Sequence, residues 1–488
     1  MKKTIAIIGS GFSALAASCY LAKQGHSVTI YEKNETIGGR ARQFKKGGFT
    51  FDMGPSWYWM PDVFERFFND FNKKTADYYE LIKLNPAYRV YFGVDDFISI
   101  YDNLEEIKTT FEKIEKGSGQ KLDDFIRQAK SNYDIAIKDL VYRPGVSPLE
   151  LITPQTTLKL NQFFSTVSND IRKKFNNERL IQILEFPVLF LGAKPSKTPS
   201  FYNFMNYADF GLGTWHPKTG MFDVVRGIEK LALELGVVIK TNSVIQKIIV
   251  ESKTATGIII NGKPIYSDIV LSGADYHHTE TLLDKVNRNY SEKYWESRVF
   301  APSSLLFFVG FDKKIENITH HALFFDVDFN QHAADIYDEP KWPEAPLFYA
   351  NFPSKTDETA APDGMESAFF LIPLAPGIED SENLREEYFE KILTRFEQLT
   401  QQKVKNHIIF KRSFCKNDFV NDYNAYKGNA YGMANTLLQT AFLRPKLKSK
   451  KVHNLYFTGQ LTVPGPGVPP ALISGKLVAE LIQKSISS

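Results

Sequence analysis

Residues 4–40 read TIAIIGSGFSALAASCYLAKQGHSVTIYEKNETIGGR, and the order of apolar run, glycine turn and alanine-rich run in this stretch decides the fold. Thr4 to Ile8 is a short apolar and β-branched run of the kind that forms a strand buried on both faces. Gly9-Ser10-Gly11 turns it, and residues 12–23 have helical character, which makes this the first half of a βαβ unit. The register is G-x-G-x-x-A. Gly9 permits the tight turn, Gly11 lets a diphosphate approach the backbone, and Ala14 allows the helix to pack closely on the strand. Free N–H groups at the helix start then face that diphosphate.

The second strand, residues 27–31, ends at Glu32, whose carboxylate is placed to accept hydrogen bonds from both hydroxyls of an adenosine ribose. A 2′-phosphate would be repelled there, which argues against NADP. The continuation separates FAD from NAD: Gly38-Gly39-Arg40 brings a second glycine turn and a guanidinium beside the diphosphate, which an ordinary nicotinamide dehydrogenase does not need. Arg40 can grip phosphate through a two-pronged charge-assisted contact.

At 488 residues the chain is too long for one simple core, and two interleaved domains are expected. A net charge of +3 leaves no electrostatic footprint for nucleic acid. Cys19 and Cys415 are too few for a disulfide framework and fit a reducing interior, and no zinc spacing occurs. Met1-Lys2-Lys3 leads straight into the first strand without a signal-peptide pattern, and no apolar run is long enough to span a bilayer. The expectation is a cytoplasmic protein that is soluble or lies on a membrane surface. Most of the 39 Phe and 23 Tyr are ordinary core material, yet they also suffice to line an aromatic tunnel.

Downstream, residues 47–57 form an alternating strand that ends in the turn Gly54-Pro55-Ser56, followed by Trp57-Tyr58-Trp59, which read equally as packing or as a substrate wall. The run 180–193, LIQILEFPVLFLGA, carries Glu185 as its sole charge. Buried helical packing is the first reading of it and dipping into a membrane surface the second, with Glu185 paired to an arginine. A strand meander turns at Asn261-Gly262 and ends at Gly273-Ala274-Asp275, where Asp275 can cap the next helix or touch cofactor. Apolar strands at 304–311, 347–351, 368–374 and 408–414 around a helix over 383–399 predict a second sheet. His320-His321 and Asp326-Val327-Asp328 read as surface loops, since their spacings match no metal site. A last strand, LYFTGQ, feeds a Gly/Pro-rich turn and a helix whose start can stabilise negative charge on a reduced flavin.

Three segments, GSGFSALAASCYLAKQGHSVTIYEKNETIGGRA, GFTFDMGPSWYW and NLYFTGQLTVPGPGVPPALISGKLVAE, together resemble the bacterial carotenoid desaturases of the phytoene desaturase type, FAD enzymes of the amine-oxidase-like flavoprotein group. The middle segment FLGAKPSKTPSFYNFMNYADFGLGTWHPKTGM favours carotenoids over amines. The resemblance implies an α/β fold in which a Rossmann-type FAD-binding domain (1–75, 222–300 and 440–488) is interleaved with a substrate domain of mixed sheet plus helices (76–221 and 301–439), including a helical part that associates with a membrane. It implies cofactor contacts at Gly9, Gly11, Ala14, Glu32, Gly39, Arg40, Gly54, Pro55, Ser56, Val244, Asp275, Gly459, Gly467, Val468 and Pro469. Gln460 departs from many relatives, which puts its own role in doubt. His216 and Lys218, in a Trp-x-Pro-x-x-Gly turn, are the polar candidates for catalysis; no metal is expected. The implied reaction is hydride transfer from an allylic carbon to flavin N5, taking phytoene to lycopene, with a quinone or oxygen as final acceptor. Within the same fold the alternatives are a later-step desaturase of a hydroxylated carotenoid or a polyene isomerase. A flavin amine oxidase and a non-catalytic prenyl-binding escort protein are the alternatives of other classes.

Overall fold

The computed structural model describes residues 2–487. Its first strand β1 (Thr4–Ile8), helix α1 (Phe12–Lys23) and second strand β2 (Ser27–Tyr31) fall on the ranges read from the sequence. β1 sits in the middle of a five-stranded parallel sheet, between β2 and Ile269–Ser272, with Val238–Lys240 and Leu455–Phe457 at the edges. A central parallel strand has no solvent face, which is why positions 5–8 are all apolar and all buried.

α1 is buried at every position from Phe12 to Leu21. It packs against the sheet, the helix Phe222–Glu234 and the last helix, Val468–Ser487. A helix covered on all sides needs small side chains rather than an apolar stripe, hence its alanines. Gly475 completes this fit: a Cβ there would lie 2.5 Å from the Ser13 carbonyl oxygen and 2.8 Å from Ala16 Cβ. The two ends of the chain therefore build one layer together.

A three-stranded antiparallel meander follows Val238–Lys240, and its second turn, Asn261-Gly262, has φ of 51° and 70°, the left-handed pair a tight hairpin requires. The second large sheet has seven strands in the order Ile408–Phe414, Ser303–Phe311, Glu366–Leu374, Phe348–Asn351, His321–Phe324, Tyr88–Gly93 and Asp96–Ile100. Only the His321–Phe324 to Tyr88–Gly93 pairing is parallel. Ser303–Phe311 alternates between two interiors: Leu305, Phe307 and Val309 join Phe389, Ile392 and Phe396 of the helix Glu382–Thr400, while Ser304 and Leu306 face a cavity.

One expectation needs correction. His320 and His321 are not on a surface loop; His321 opens a strand in the middle of the sheet, and both rings are buried. The buried-packing reading of residues 180–193 is kept: Leu180, Ile181, Ile183, Leu184, Phe186 and Val188 are buried, and Glu185 lies 3.4 Å from Arg172 Nε. Exposed apolar side chains occur elsewhere in the helical part, at Val146, Leu149, Ile152, Leu158 and Phe164. Among the described residues no helix is long and apolar enough to cross a membrane.

Candidate active site

A cavity of about 970 Å³ runs from the carboxyl ends of β1 and β2 to the underside of the seven-stranded sheet. At its first end, Glu32 is pinned: Oε2 accepts from the Ser10 N–H (2.9 Å) and Ser10 hydroxyl (2.7 Å), and Oε1 accepts from the Asn34 N–H (2.8 Å). Oε1 keeps lone-pair capacity toward the cavity. Gly9 takes φ 84° with Ala274 N–H close behind it, whereas a Cβ on Gly11 would meet nothing within 4 Å, so the space in front of Gly11 is open to a ligand. Ala14 is not on the cavity wall. It faces Gly273, where a Cβ would come within 2.7 Å of the Ala14 Cβ, so its part is the close helix-strand packing read from the motif.

The second glycine turn closes on the first. Gly38 N–H donates to the Ser10 carbonyl (3.0 Å), and a Cβ on Gly39, at φ 57°, would lie 3.2 Å from Gly11 Cα. Arg40 follows on the wall, half-buried as a residue, with its Nε buried and unpartnered. Its Nη2 donates to the Asn429 carbonyl (3.3 Å), and the guanidinium lies 5.4 Å from the Tyr423 ring centre. Burial pulls its pKa below the usual arginine value, with Asp275 opposing. A cation with spare N–H groups, drawn partly inside beside two glycine turns, fits a diphosphate. Gly54 is forced by the same loop, since a Cβ there would collide with the Arg40 carbonyl oxygen.

Pro55, Ser56 and Val244 line the cavity, as does Asp275, which also caps the following helix by accepting from His278 N–H (3.2 Å). From the other end of the chain come Gly459, at φ 113°, with its N–H on Ser474 Oγ, and Gly467, Val468 and Pro469, where the last helix begins. Gln460, doubtful from sequence, joins the two halves. With its carboxamide oxygen toward the donors, it accepts from Gly432 N–H (3.2 Å) and from Arg40 Nη2 (3.0 Å). Ser10 and Tyr423 went unread; only Ser10, inside the glycine motif and ahead of an acid, had a local signal.

Beyond Ser56 the wall turns apolar, with Trp57, Phe186, Leu189, Phe201, Leu306 and Phe369 among its residues. The three consecutive aromatics divide by alternation: Trp57 and Trp59 line the cavity, and Tyr58 points away to Tyr79 (hydroxyls 3.0 Å apart). The cavity also reaches Arg143, Gly145, Ser147 and Glu150, beside the turn 440–443. The catalytic candidates lie elsewhere. Lys218 is exposed, its Nζ 2.9 Å from Glu80, because the turn that carries it faces solvent. His216, on the strand Trp215–Pro217, is buried with neither ring nitrogen bonded, and it sits one layer behind Ser56, off the main wall. Burial lowers its pKa to about 4, so it is neutral. Among the described residues no group of three or more His, Cys, Asp or Glu is arranged to hold a metal.

Residues 12–483 match the family described as flavin containing amine oxidoreductase. The chain is 39% identical over 490 residues to a carotenoid 3,4-desaturase of Haloarcula japonica, covering 99% of this chain and 98% of that protein. It is 33% identical over 498 residues to a 4,4'-diapophytoene desaturase of Staphylococcus haemolyticus, with 99% of each covered. In fold it is similar to an oxidoreductase from Methanosarcina mazei, at a TM-score of 0.66 and 17% identity, over 98% of this chain and all of that one. The glycine turns, Glu32, the orphaned Arg40 nitrogen and the start of the last helix accommodate FAD, which supplies a two-electron acceptor when bound. By its sequence from end to end, and by a cavity shaped for that cofactor, the chain belongs to the flavin containing amine oxidoreductases, an FAD oxidoreductase of the branch that holds the carotenoid desaturases.

Proposed function

We propose that the protein desaturates a carotenoid, removing hydrogen from adjacent carbons of a long polyene. One observation carries the reading: the cavity that presents the dinucleotide motifs continues, past Ser56, into a wall of Trp, Phe and Leu, and its one lysine, Lys33, stands at the Glu32 end. An amine oxidase would need a lysine or polar cage at the other end. Among carotenoids, the higher identity favours the 3,4 bond of a chain that is already conjugated. The conversion of phytoene to lycopene is the second reading, favoured by the diapophytoene desaturase relative. The residues divide the work: Glu32, Arg40 and the glycine turns bind the cofactor, Gly54 to Ser56 position its ring, and the apolar wall excludes water and holds the reacting bond. The electrons pass on to a quinone or to oxygen.

The substrate's solubility calls for a membrane, and the cavity mouth supports one. The Gly145 carbonyl and the Phe442 carbonyl share Lys446 Nζ (2.7 and 2.6 Å), joining two loops at the mouth. Around them Val146, Leu149, Ile152, Leu438 and Leu443 are exposed. Such a patch, beside an opening, suits the headgroup boundary of a bilayer.

The test is product analysis with purified, FAD-loaded protein and liposomes carrying either phytoene or a conjugated polyene. A red shift of the absorption with one of them identifies the step. Hydrogen peroxide from amines with no polyene product would instead favour an amine oxidase, and prenyl binding without turnover an escort protein.

A further inference from the structure

The Tyr349 phenol stands on the cavity wall, and its oxygen is bonded on two sides: Ser56 Oγ, on the same wall, lies at 2.9 Å and His321 Nδ1 at 2.7 Å. Asn351 bears on the direction of the second bond. Its Nδ2 donates to the His320 carbonyl (3.1 Å) and lies 3.3 Å from His321 Nδ1. That contact suits the tautomer protonated on Nε2, in which Nδ1 accepts and the phenol donates to it. The His321 ring lies flat on Trp57, centroids 4.0 Å apart and planes 9° from parallel, which locks its orientation. Burial keeps this imidazole neutral, its pKa well below the ordinary histidine value.

Behind it the polar layer continues. His320 meets His321 edge to face at 4.5 Å, and His216 meets His320 at 4.4 Å. His216 borders a separate chamber of about 20 Å³, together with Asp52, Ser56 and Asn351. That volume is large enough for one water, and the lining offers several polar groups.

We propose that Tyr349 is a catalytic residue, the proton acceptor of the desaturation, and that His321 acts through it as a positioning base. This rests on the desaturase reading above. Bound FAD would supply the acceptor for one C–H electron pair, taken as hydride, which would leave a cation delocalised over the polyene. The neighbouring C–H bond then breaks, its electrons become the new C=C π bond, and its proton passes to the Tyr349 oxygen. The phenolic hydrogen moves at the same time to His321 Nδ1. Tyr349 ends neutral and His321 ends as imidazolium, which gives its proton back through the Tyr349 oxygen to the Ser56 hydroxyl, a group that borders both the cavity and the small chamber. A weak base is enough, because a C–H next to such a cation is strongly acidic.

Two variants and one spectrum test this. Tyr349→Phe removes only the oxygen, and His321→Phe keeps a ring against Trp57 while losing the acceptor. Each is expected to lower kcat by roughly 10²-fold, as loss of a positioned proton acceptor does, with KM and FAD content unchanged. The double variant is expected to be no slower than either single one, since the two act as a unit. A histidine-selective ¹⁵N spectrum of the cofactor-free parent should show an unprotonated, hydrogen-bonded Nδ1 at His321 that shifts in Tyr349→Phe. Parental turnover in either variant, or a protonated Nδ1, overturns the proposal alone. A parent protein that converts no polyene overturns the desaturase reading and this proposal with it.

Discussion

The guanidinium of Arg40 and the carboxamide of Gln460 meet across the cavity, with the glutamine oxygen 3.0 Å from Nη2 and 3.3 Å from Nη1. This contact ties the first glycine turns to the strand that closes the parallel sheet, yet it satisfies Arg40 with carbonyl groups rather than a carboxylate. A diphosphate would complete the pairing. Arg40→Met is therefore expected to weaken FAD binding about 10- to 100-fold, the worth of hydrogen bonds to a charged group, while the cofactor-free protein keeps its unfolding temperature. Fluorescence titration with FAD and thermal unfolding check the two halves.

Glu32 serves the fold as well as the cofactor. Glu32→Ala strands the buried Ser10 and Asn34 N–H groups, so it should lower the stability of the cofactor-free protein by about 1–3 kcal/mol as well as loosen FAD. Glu32→Gln, which keeps one acceptor oxygen, should cost less. Urea unfolding without cofactor separates this effect from that of Arg40→Met.

Gly475→Ala places a methyl group against the Ser13 carbonyl, where backbone must move. Overpacking of this kind costs about 1–3 kcal/mol, and the urea midpoint should fall accordingly. The same change should reduce FAD retention, because the last helix carries Gly467 and Val468 to the cavity.

Asp209 lies buried with Tyr88 donating to Oδ2 at 2.7 Å, and burial pushes its pKa up to about 8. The folded state therefore holds a proton that the unfolded chain releases above about pH 4. Stability contributed by this group is full below that pH and is lost as pH rises toward 8, by an amount on the order of 5 kcal/mol. Asp209→Asn keeps the acceptor for Tyr88 and has no proton to lose. Its stability relative to the parent should rise steadily between pH 5 and pH 8 in urea unfolding.

Leu149→Ser combined with Ile152→Ser should reduce co-sedimentation with liposomes and slow turnover of bilayer-embedded substrate. FAD content and unfolding temperature should stay unchanged, since both side chains are exposed. Unaltered liposome binding would show that the patch is not the contact.

How much of this was legible depends on how local each signal is. The strand, turn and helix around Gly9 and Gly11, and Glu32 at the end of the next strand, are set by neighbours in sequence, and the structure keeps them residue for residue. Asp275 as a helix cap is local in the same way. Lys218 and His216 share one turn, and nothing local says that one points to solvent and the other inward. The 180–193 run and the Val146 to Phe164 patch are both apolar; periodicity reports hydrophobicity and does not report which element will cover it. His321 looked like a loop residue because its strand is only four residues long and borrows its identity from partners far away in the chain.

The parallel sheet also sets a timetable. Leu455–Phe457 and the helix over α1 are translated long after α1, so the first helix leaves the ribosome well before the elements that cover it. Until then its alanine-rich face stays open to misassociation, a burden that falls on chaperones. Loading of the flavin must likewise follow synthesis, and its supply at that moment will govern how much newly made protein reaches the mature state.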